Sequence, residues 1–174
     1  MPNSQLIPGY QLRVSSGLDR AILVKFLQRT YRELYPKQDF SHLADTVEQY
    51  YSKETPLWWV EVADCGDGSE GDRPTAKLSP DVRAGKSPVG CLWMGNAIDQ
   101  VRGDRHAHIF MLYVAPKHRR RGIGSALMGR AQEWAKERGD RQITVQVFVA
   151  NKPAIELYAN MGYQPHSMLM VKSL

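Results

Sequence analysis

The stretch HIFMLYVAPKHRRRGIGSALM, residues 108–128, constrains the fold of this chain more than any other segment. An apolar strand passes through a proline turn into a helix that begins on glycines, Gly122 and Gly124, rather than on Ser, Thr or Asp. Such a start leaves the first helical N–H groups without a side-chain partner. Together with the positive end of the helix dipole they make an anion site. Lys117, Arg119, Arg120 and Arg121 surround it with charge suited to a polyphosphate. The charge is local: residues 101–141 hold ten Lys/Arg against four Asp/Glu, a net +6, while the whole chain carries +5. A discrete anionic ligand fits that distribution better than diffuse nucleic-acid binding.

Other readings of the same residues are weaker. The dinucleotide fingerprint G-x-G-x-x-G needs a third glycine where Leu127 stands, and the chain is short for two βαβ halves. A nucleic-acid site on the 117–121 basic patch would call for aromatic platforms nearby. Phe110, Tyr113 and Trp134 are better placed as core, so this reading is kept only as an alternative. AGKS (84–87) resembles the end of a phosphate-binding loop, but Pro80 replaces its first glycine and Pro88 blocks the helix that should follow.

At 174 residues the sequence fits one domain, 1–174, at roughly 100–200 residues per domain. YQLRV (10–14) alternates as a strand. Ser15 and Ser16 offer caps for a helix whose stripe is Leu18, Ile22, Phe26, Leu27 and Leu34, ended by Pro36. A second helix follows Ser41. LWWVEVA (57–63) and PVGCLWM (88–94) read as strands, and residues 64–88 between them as a mobile hairpin-loop insertion. Strand 108–114 and helix 122–138 come next, the helix burying Ile123, Leu127, Ala131 and Trp134. Strand 142–149 precedes a helix capped by Asn151, with Ala154, Leu157, Tyr158 and Met161 on one face, and HSMLMVKSL supplies a last strand. The order is α+β with a central mixed sheet. The start MPNSQLIPGY lacks the basic leader and apolar core of a secretory signal, and no apolar run approaches the ~20 residues of a membrane helix. Cys65 and Cys91 lie outside metal-type spacing and read as reduced thiols of a cytoplasmic protein with no metal.

MLYVAPKHRRRGIGSALM resembles the acyl-CoA-binding motif of the GNAT superfamily of N-acyltransferases, Arg/Gln-x-x-Gly-x-Gly/Ala after a strand and a proline turn. Arg119, Gly122 and Gly124 fill its fixed positions. About thirty residues on, NKPAIELYANMGY (151–163) resembles the family's second signature, through Asn151, Ala154, Leu157, Tyr158, Gly162 and Tyr163. The resemblance implies a mostly antiparallel sheet flanked by helices, with a V-shaped splay between strands 108–114 and 142–149. It implies acetyl-CoA as acyl donor, its pantetheine arm on backbone groups near Leu112 and Val114. The pyrophosphate would rest on the N–H groups of Arg120, Arg121, Gly122, Ile123, Gly124 and Ser125, with Asn151 touching the arm and Lys117 and Lys152 near the outer phosphates.

The implied reaction is acetyl transfer to a primary amine, of a protein, peptide or small molecule, by direct attack in a ternary complex. The substrate ammonium, pKa about 10.4 for a lysine, must lose a proton before attack, so a base or a water relay is needed. A free backbone N–H near Val114 could polarise the thioester carbonyl. The family's Tyr implies Tyr158 as general acid for the leaving thiolate. Some members carry a Glu base twelve residues before that Tyr, where this chain has Gln146; others carry Glu or His eleven residues before the motif's first Arg/Gln, which is His108 here. Residues 108, 110, 112 and 114 are expected to share a strand face, pointing His108 toward the cleft. His106 and Glu61 are fallbacks, acting through water. Because Gln146 cannot take a proton, a non-catalytic acyl-CoA sensor remains an alternative to the enzyme. The acceptor and the oligomeric state, monomer or homodimer, are left open; residues 15–56, with Trp58 and Trp59 beside them, could line an acceptor pocket.

Overall fold

The computed structural model describes residues 4–63 and 87–174. Ten elements follow in chain order: β1 (Ser4–Ile7), β2 (Tyr10–Val14), α1 (Arg20–Leu34), α2 (Leu43–Tyr50), β3 (Leu57–Val62), β4 (Gly90–Ile98), β5 (Arg105–Val114), α3 (Ile123–Glu137), β6 (Ile143–Val145) and α4 (Lys152–Asn160). The strands form one sheet in the order β1-β2-β3-β4-β5-β6. Every pair is antiparallel except β5 and β6, which run parallel because α3 carries the chain back between them. The mixed α+β sheet inferred from the sequence is the observed one.

Helices cover both faces. On one, Ile123, Leu127, Met128 and Ala131 of α3 and Tyr158 of α4 pack on Leu12, Val60, Leu92, Met94 and Ile109. On the other, Leu23, Phe26 and Leu27 of α1 and Leu43 and Val47 of α2 pack on Trp59, Cys91, Trp93, Met111 and Tyr113. Central strands buried on both sides need apolar residues at consecutive positions, which is why LWWV and GCLWM run without alternation.

One irregularity decides how the functional strand presents its side chains. Trp93 pairs with Met111 but Met94 pairs with Ile109, so Phe110 is an extra residue, a β-bulge. Its ring occupies the space over Gly95: a Cβ there would lie 1.9 Å from Phe110 Cε2. The bulge overturns the expectation that 108, 110, 112 and 114 share a face. Phe110 joins Met111 and Tyr113 on the α1–α2 side, whereas Leu112 and Val114 pack toward α3 and α4 with Ile109.

A buried ionic cluster joins β2, β3 and α1. Asp19 Oδ2 accepts from Arg13 Nη1 (2.9 Å), Ser15 Oγ (3.0 Å), the Ser16 backbone N–H (3.0 Å) and Trp59 Nε1 (3.1 Å), and Arg13 Nε also donates to Glu61 Oε1 at 2.6 Å. The expected Ser15/Ser16 cap is therefore replaced: α1 starts after Asp19, whose carboxylate is committed to this cluster, and Leu18 is 90% exposed rather than part of the apolar stripe.

Three further sequence expectations are corrected. β1 was not foreseen. β6 spans Ile143–Val145 rather than 142–149, because the chain beyond it turns toward α1, where Phe148 packs its ring edge on Tyr31 and Tyr35. Residues 164–174 form no strand: Pro165 lacks an N–H and three-residue β6 offers a short edge, and Met168, Leu169, Met170 and Val171 stay more than 70% exposed. The expected loop insertion falls almost wholly on 64–86, outside the described residues. Among the described residues no helix is long and apolar enough to cross a membrane.

Candidate active site

β5 and β6 pair at three positions only, Ala107 with Ile143, His108 with Thr144 and Ile109 with Val145. Past Ile109 and Val145 the two strands separate, which opens the sheet along Phe110–Val114. The Ala115 N–H bonds Val89 O, just before β4, at 2.8 Å. Alternation along the strand then turns the backbone groups of Val114 and Leu112 to the open side. The Val114 carbonyl already accepts from Arg119 Nε at 2.8 Å.

The glycine-started helix stands at the mouth of this opening. Gly122 precedes α3 with φ +84°, no side chain caps it, and the first helical hydrogen bond is Ala126 N–H to Gly122 O at 3.0 Å. The N–H groups of Ile123, Gly124 and Ser125 thus precede the helical ladder. Arg120 also has positive φ, 62°, so two left-handed residues curl the backbone just before the helix. Such turns direct successive N–H groups to one side, the arrangement that receives anions. The two glycines differ in function. A Cβ at Gly122 would meet nothing within 4 Å, so its glycine serves the backbone angle and an open approach; at Gly124 a Cβ would come within 3.2 Å of Leu157 Cδ2, so that glycine lets α4 pack closely on α3. On the expectation that this turn receives CoA, Gly122→Ala should weaken CoA binding about five- to tenfold through backbone strain of ~1 kcal/mol, with little change in packing. Calorimetry with CoA checks this, and an unchanged Kd would mean that the left-handed turn is dispensable.

The arginines are held by the fold more than the sequence suggests. Arg119 stacks near Tyr113 (5.7 Å) and pairs with Glu33 Oε2 of α1 at 2.6 Å, and Tyr113 Oη donates to Glu33 Oε1 at 3.0 Å. Arg121 Nη1 donates to Tyr10 Oη at 3.0 Å, and that hydroxyl meets His118 Nδ1 at 2.9 Å. Arg120 and Lys117 are exposed.

The two residues expected to move protons lie on opposite faces of the opening. Tyr158, 8% exposed, sits in the α3–α4 core, where its hydroxyl makes no hydrogen bond among the described residues. Burial, with Tyr163 beside it, pushes its pKa up to about 12. His108 faces the α1–α2 side, edge-on to Phe110, and its Nδ1 lies 2.8 Å from Thr144 Oγ1. Burial, and after it the charge of His106, lowers its pKa. Phe110 in turn touches Trp93 (4.8 Å) and Tyr50 (5.3 Å), an aromatic lining beside His108.

The remaining candidates are less free. Asn151 caps α4 through a long bond, Ala154 N–H to Oδ1 at 3.4 Å. Glu61 lies on β3, two strands from β5, with its carboxylate taken by Arg13. Gln146 is exposed just past β6. Cys91 is fully buried and its thiol is pushed up by burial, which removes it as a nucleophile. Among the described residues no cluster of three or more His, Cys, Asp or Glu could hold a metal ion. Sequence reasoning missed Thr144, because only the β5–β6 register brings it to the histidines.

The chain is similar to known acetyltransferases at three levels. A model of the Acetyltransferase (GNAT) family matches residues 23–163. An uncharacterized N-acetyltransferase of Methanocaldococcus jannaschii is 40% identical over 82 residues, 44% of this chain and 34% of that protein. Streptothricin acetyltransferase of Streptomyces lavendulae is 33% identical over 101 residues, 58% of this chain and 51% of that protein. The matched stretches therefore span only a third to a half of these relatives. The crystal structure of ribosomal-protein-alanine N-acetyltransferase from Brucella melitensis biovar Abortus 2308 superposes with a TM-score of 0.64 at 17% identity, covering 95% of this chain and 99% of that one, a likeness of fold. An open β5–β6 pair, an uncapped glycine start on α3, and a family match that spans both features place the chain in the GNAT acetyltransferase family.

Proposed function

We propose that this chain is an N-acetyltransferase that moves the acetyl group of acetyl-CoA to a primary amine by direct attack in a ternary complex, residues 1–174 acting as one domain. The observation that carries the reading is the sheet opening past Ile109 and Val145, with the free N–H groups of α3 at its mouth. Acetyl-CoA supplies an activated thioester. Backbone N–H groups from Arg120 to Ser125 bind the pyrophosphate, with Lys117, Arg120 and Lys152 nearby as charge. Leu112 and Val114 bind the pantetheine arm along the unpaired side of β5, as an added strand would, and the Val114 N–H faces the thioester carbonyl. Asn151 caps α4 beside the arm.

His108, from the α1–α2 side, takes the proton of the attacking amine. A depressed pKa keeps it neutral, and so able to accept, through the physiological range. Tyr158, from the α3–α4 side, offers its hydroxyl to the departing thiolate. The two groups thus approach from opposite faces of the sheet. Cys91, being fully buried, offers no thiol to an acyl intermediate. Amine acceptors of either size fit the relatives: the Streptomyces lavendulae protein is named for the small molecule streptothricin, and the Brucella melitensis structure for a ribosomal protein.

Calorimetry with CoA, acetyl-CoA and a short oligonucleotide is the first test. Binding of CoA and acetyl-CoA but not of the oligonucleotide is expected; failure to bind CoA defeats the proposal. Thiol release with a panel of amines then separates an enzyme from a sensor. In His108→Ala the acidic limb of the pH–rate profile should disappear, and its survival would remove His108 as the base.

A further inference from the structure

β5 and β6 set two histidines and a threonine in one hydrogen-bonded row. Thr144 Oγ1 lies 2.8 Å from His108 Nδ1 and 3.1 Å from His106 Nε2. Beyond it, His106 Nδ1 is 3.3 Å from Gln142 Nε2, which donates to Asp99 Oδ2 at 2.8 Å. Register builds the row: His108 pairs with Thr144 across the parallel ladder, and His106 stands two residues earlier on the same face. At the outer end is a cavity of about 220 Å³ whose wall includes Asp99, Arg102, His106, Arg141 and Gln142. At the inner end, His108 Nε2 makes no hydrogen bond among the described residues.

A hydroxyl donates one hydrogen and accepts others, so the row can run in two directions, of which only the second also satisfies the Gln142 contact: in the first, His106 Nδ1–H and the Gln142 amide N–H are both donors, and the Nδ1 hydrogen needs cavity water as its acceptor. In the first, His108 Nδ1–H donates to Thr144, Thr144 donates to His106 Nε2, and His106 carries its hydrogen on Nδ1. In the second, His108 carries its hydrogen on Nε2, Thr144 donates to His108 Nδ1, and His106 Nε2–H donates to Thr144. His106 Nδ1 then accepts from Gln142. That last contact is the longest in the row, so it holds the second direction only weakly.

We propose that Thr144 and His106 complete, with His108, a proton relay from the β5–β6 opening to the cavity beside Asp99. It rests on His108 being the base. The amine proton enters at His108 Nε2 and the Nδ1 proton passes to Thr144 Oγ1. The Thr144 hydroxyl proton passes to His106 Nε2, and the His106 Nδ1 proton leaves to water in the cavity. Four protons shift, and neither imidazole is left charged. The row resets when His108 gives up its Nε2 proton on the cleft side and His106 regains one at Nδ1. Neutrality matters here, because an imidazolium at His108 is opposed by burial and by His106. The ionisable groups around the row are His106 on β5, Asp99 beyond β4, Tyr50 of α2 across Phe110, and Arg102, Asp104, Arg105 and Arg141 around the cavity. Thr144 and His106 are thus positioning and relay residues, acting on the substrate only through His108.

Thr144→Val keeps the shape and β-branching of the strand residue but removes the hydroxyl. It should lower kcat about 10- to 100-fold, with the amine KM within about threefold and Tm close to wild type. Rates in mixtures of light and heavy water should fall on a curve for the wild type, several protons moving together, and on a straight line for Thr144→Val. Thr144→Ser should recover most of kcat and the curve. If Thr144→Val keeps both kcat and the curve while His108→Ala loses the acidic limb, the relay is wrong and the base stands. If the acidic limb survives in His108→Ala, the base is wrong and the relay falls with it.

Discussion

Replacing Tyr158 by Phe is expected to lower kcat about 100-fold or more while CoA affinity stays within about twofold. The hydroxyl makes no hydrogen bond among the described residues, so its loss disturbs no fold contact, and Tm should hold or rise slightly. With its pKa pushed up to about 12, the phenol is protonated at every working pH and is always a donor. A thiolate near pKa 8.5 is a weaker base than the phenolate left behind, so full transfer is uphill. The contribution expected from Tyr158 is a hydrogen bond that strengthens as the C–S bond breaks. Tyr158 should accordingly add no basic limb to the kcat profile below about pH 10, since its proton is lost only near 12. An unchanged kcat in Tyr158→Phe would remove it as the acid.

Asp19→Ala is the substitution expected to cost most in stability, about 3 kcal/mol. It strips a partner from Trp59 Nε1, on a residue with 0% exposure, and from Ser15, Ser16 and Arg13 together. Arg13 keeps Glu61 and is 26% exposed, which holds the loss at the lower end of the range for a broken buried pair. Urea unfolding should show a lower midpoint at an unchanged slope. The pH dependence follows from the carboxyl. Burial pushes its pKa up, but hydrogen bonds from Arg13 and Ser15 and the Arg13 charge outweigh that and leave it below the ordinary range. A depressed native pKa means that the stabilisation is complete above the unfolded value near 3.9 and fades as pH falls through the native one. The gap between wild type and Asp19→Ala should be constant from neutral pH down to about 5 and close only in strong acid. A gap that shrinks near pH 6 would point to another group. The same cluster seats α1, which carries Glu33 to Arg119 and Tyr31, with Tyr35 just past its end, to Phe148.

Much of the candidate site was legible in the sequence because its geometry is local. Gly122 reports its own left-handed backbone, and the run from Arg119 to Ser125 needs no distant residue to form a helix start. Tyr158 and Asn151 were legible through their spacing in a second signature. The faces of β5 were not. A period-two reading assumes an unbroken strand, and the Phe110 bulge depends on Gly95, fifteen residues earlier, whose bare backbone leaves room for the ring. Nor could spacing reveal that Arg119 is engaged by Glu33, or that Gly124 makes room for Leu157.

The sequence by itself determined the order of most strands and helices, the two-sided burial of β3 and β4, the uncapped glycine start of α3 and the kinship of the chain. Each of these depends on residues close together along the chain: periodicity, caps and turn glycines. Only the tertiary structure decided where β5 and β6 part, which face His108 presents, and that Thr144 stands between His106 and His108. Those follow from strand register and from contacts between segments some 35 residues apart, where the competing packing choices are set by neighbours that local sequence does not name.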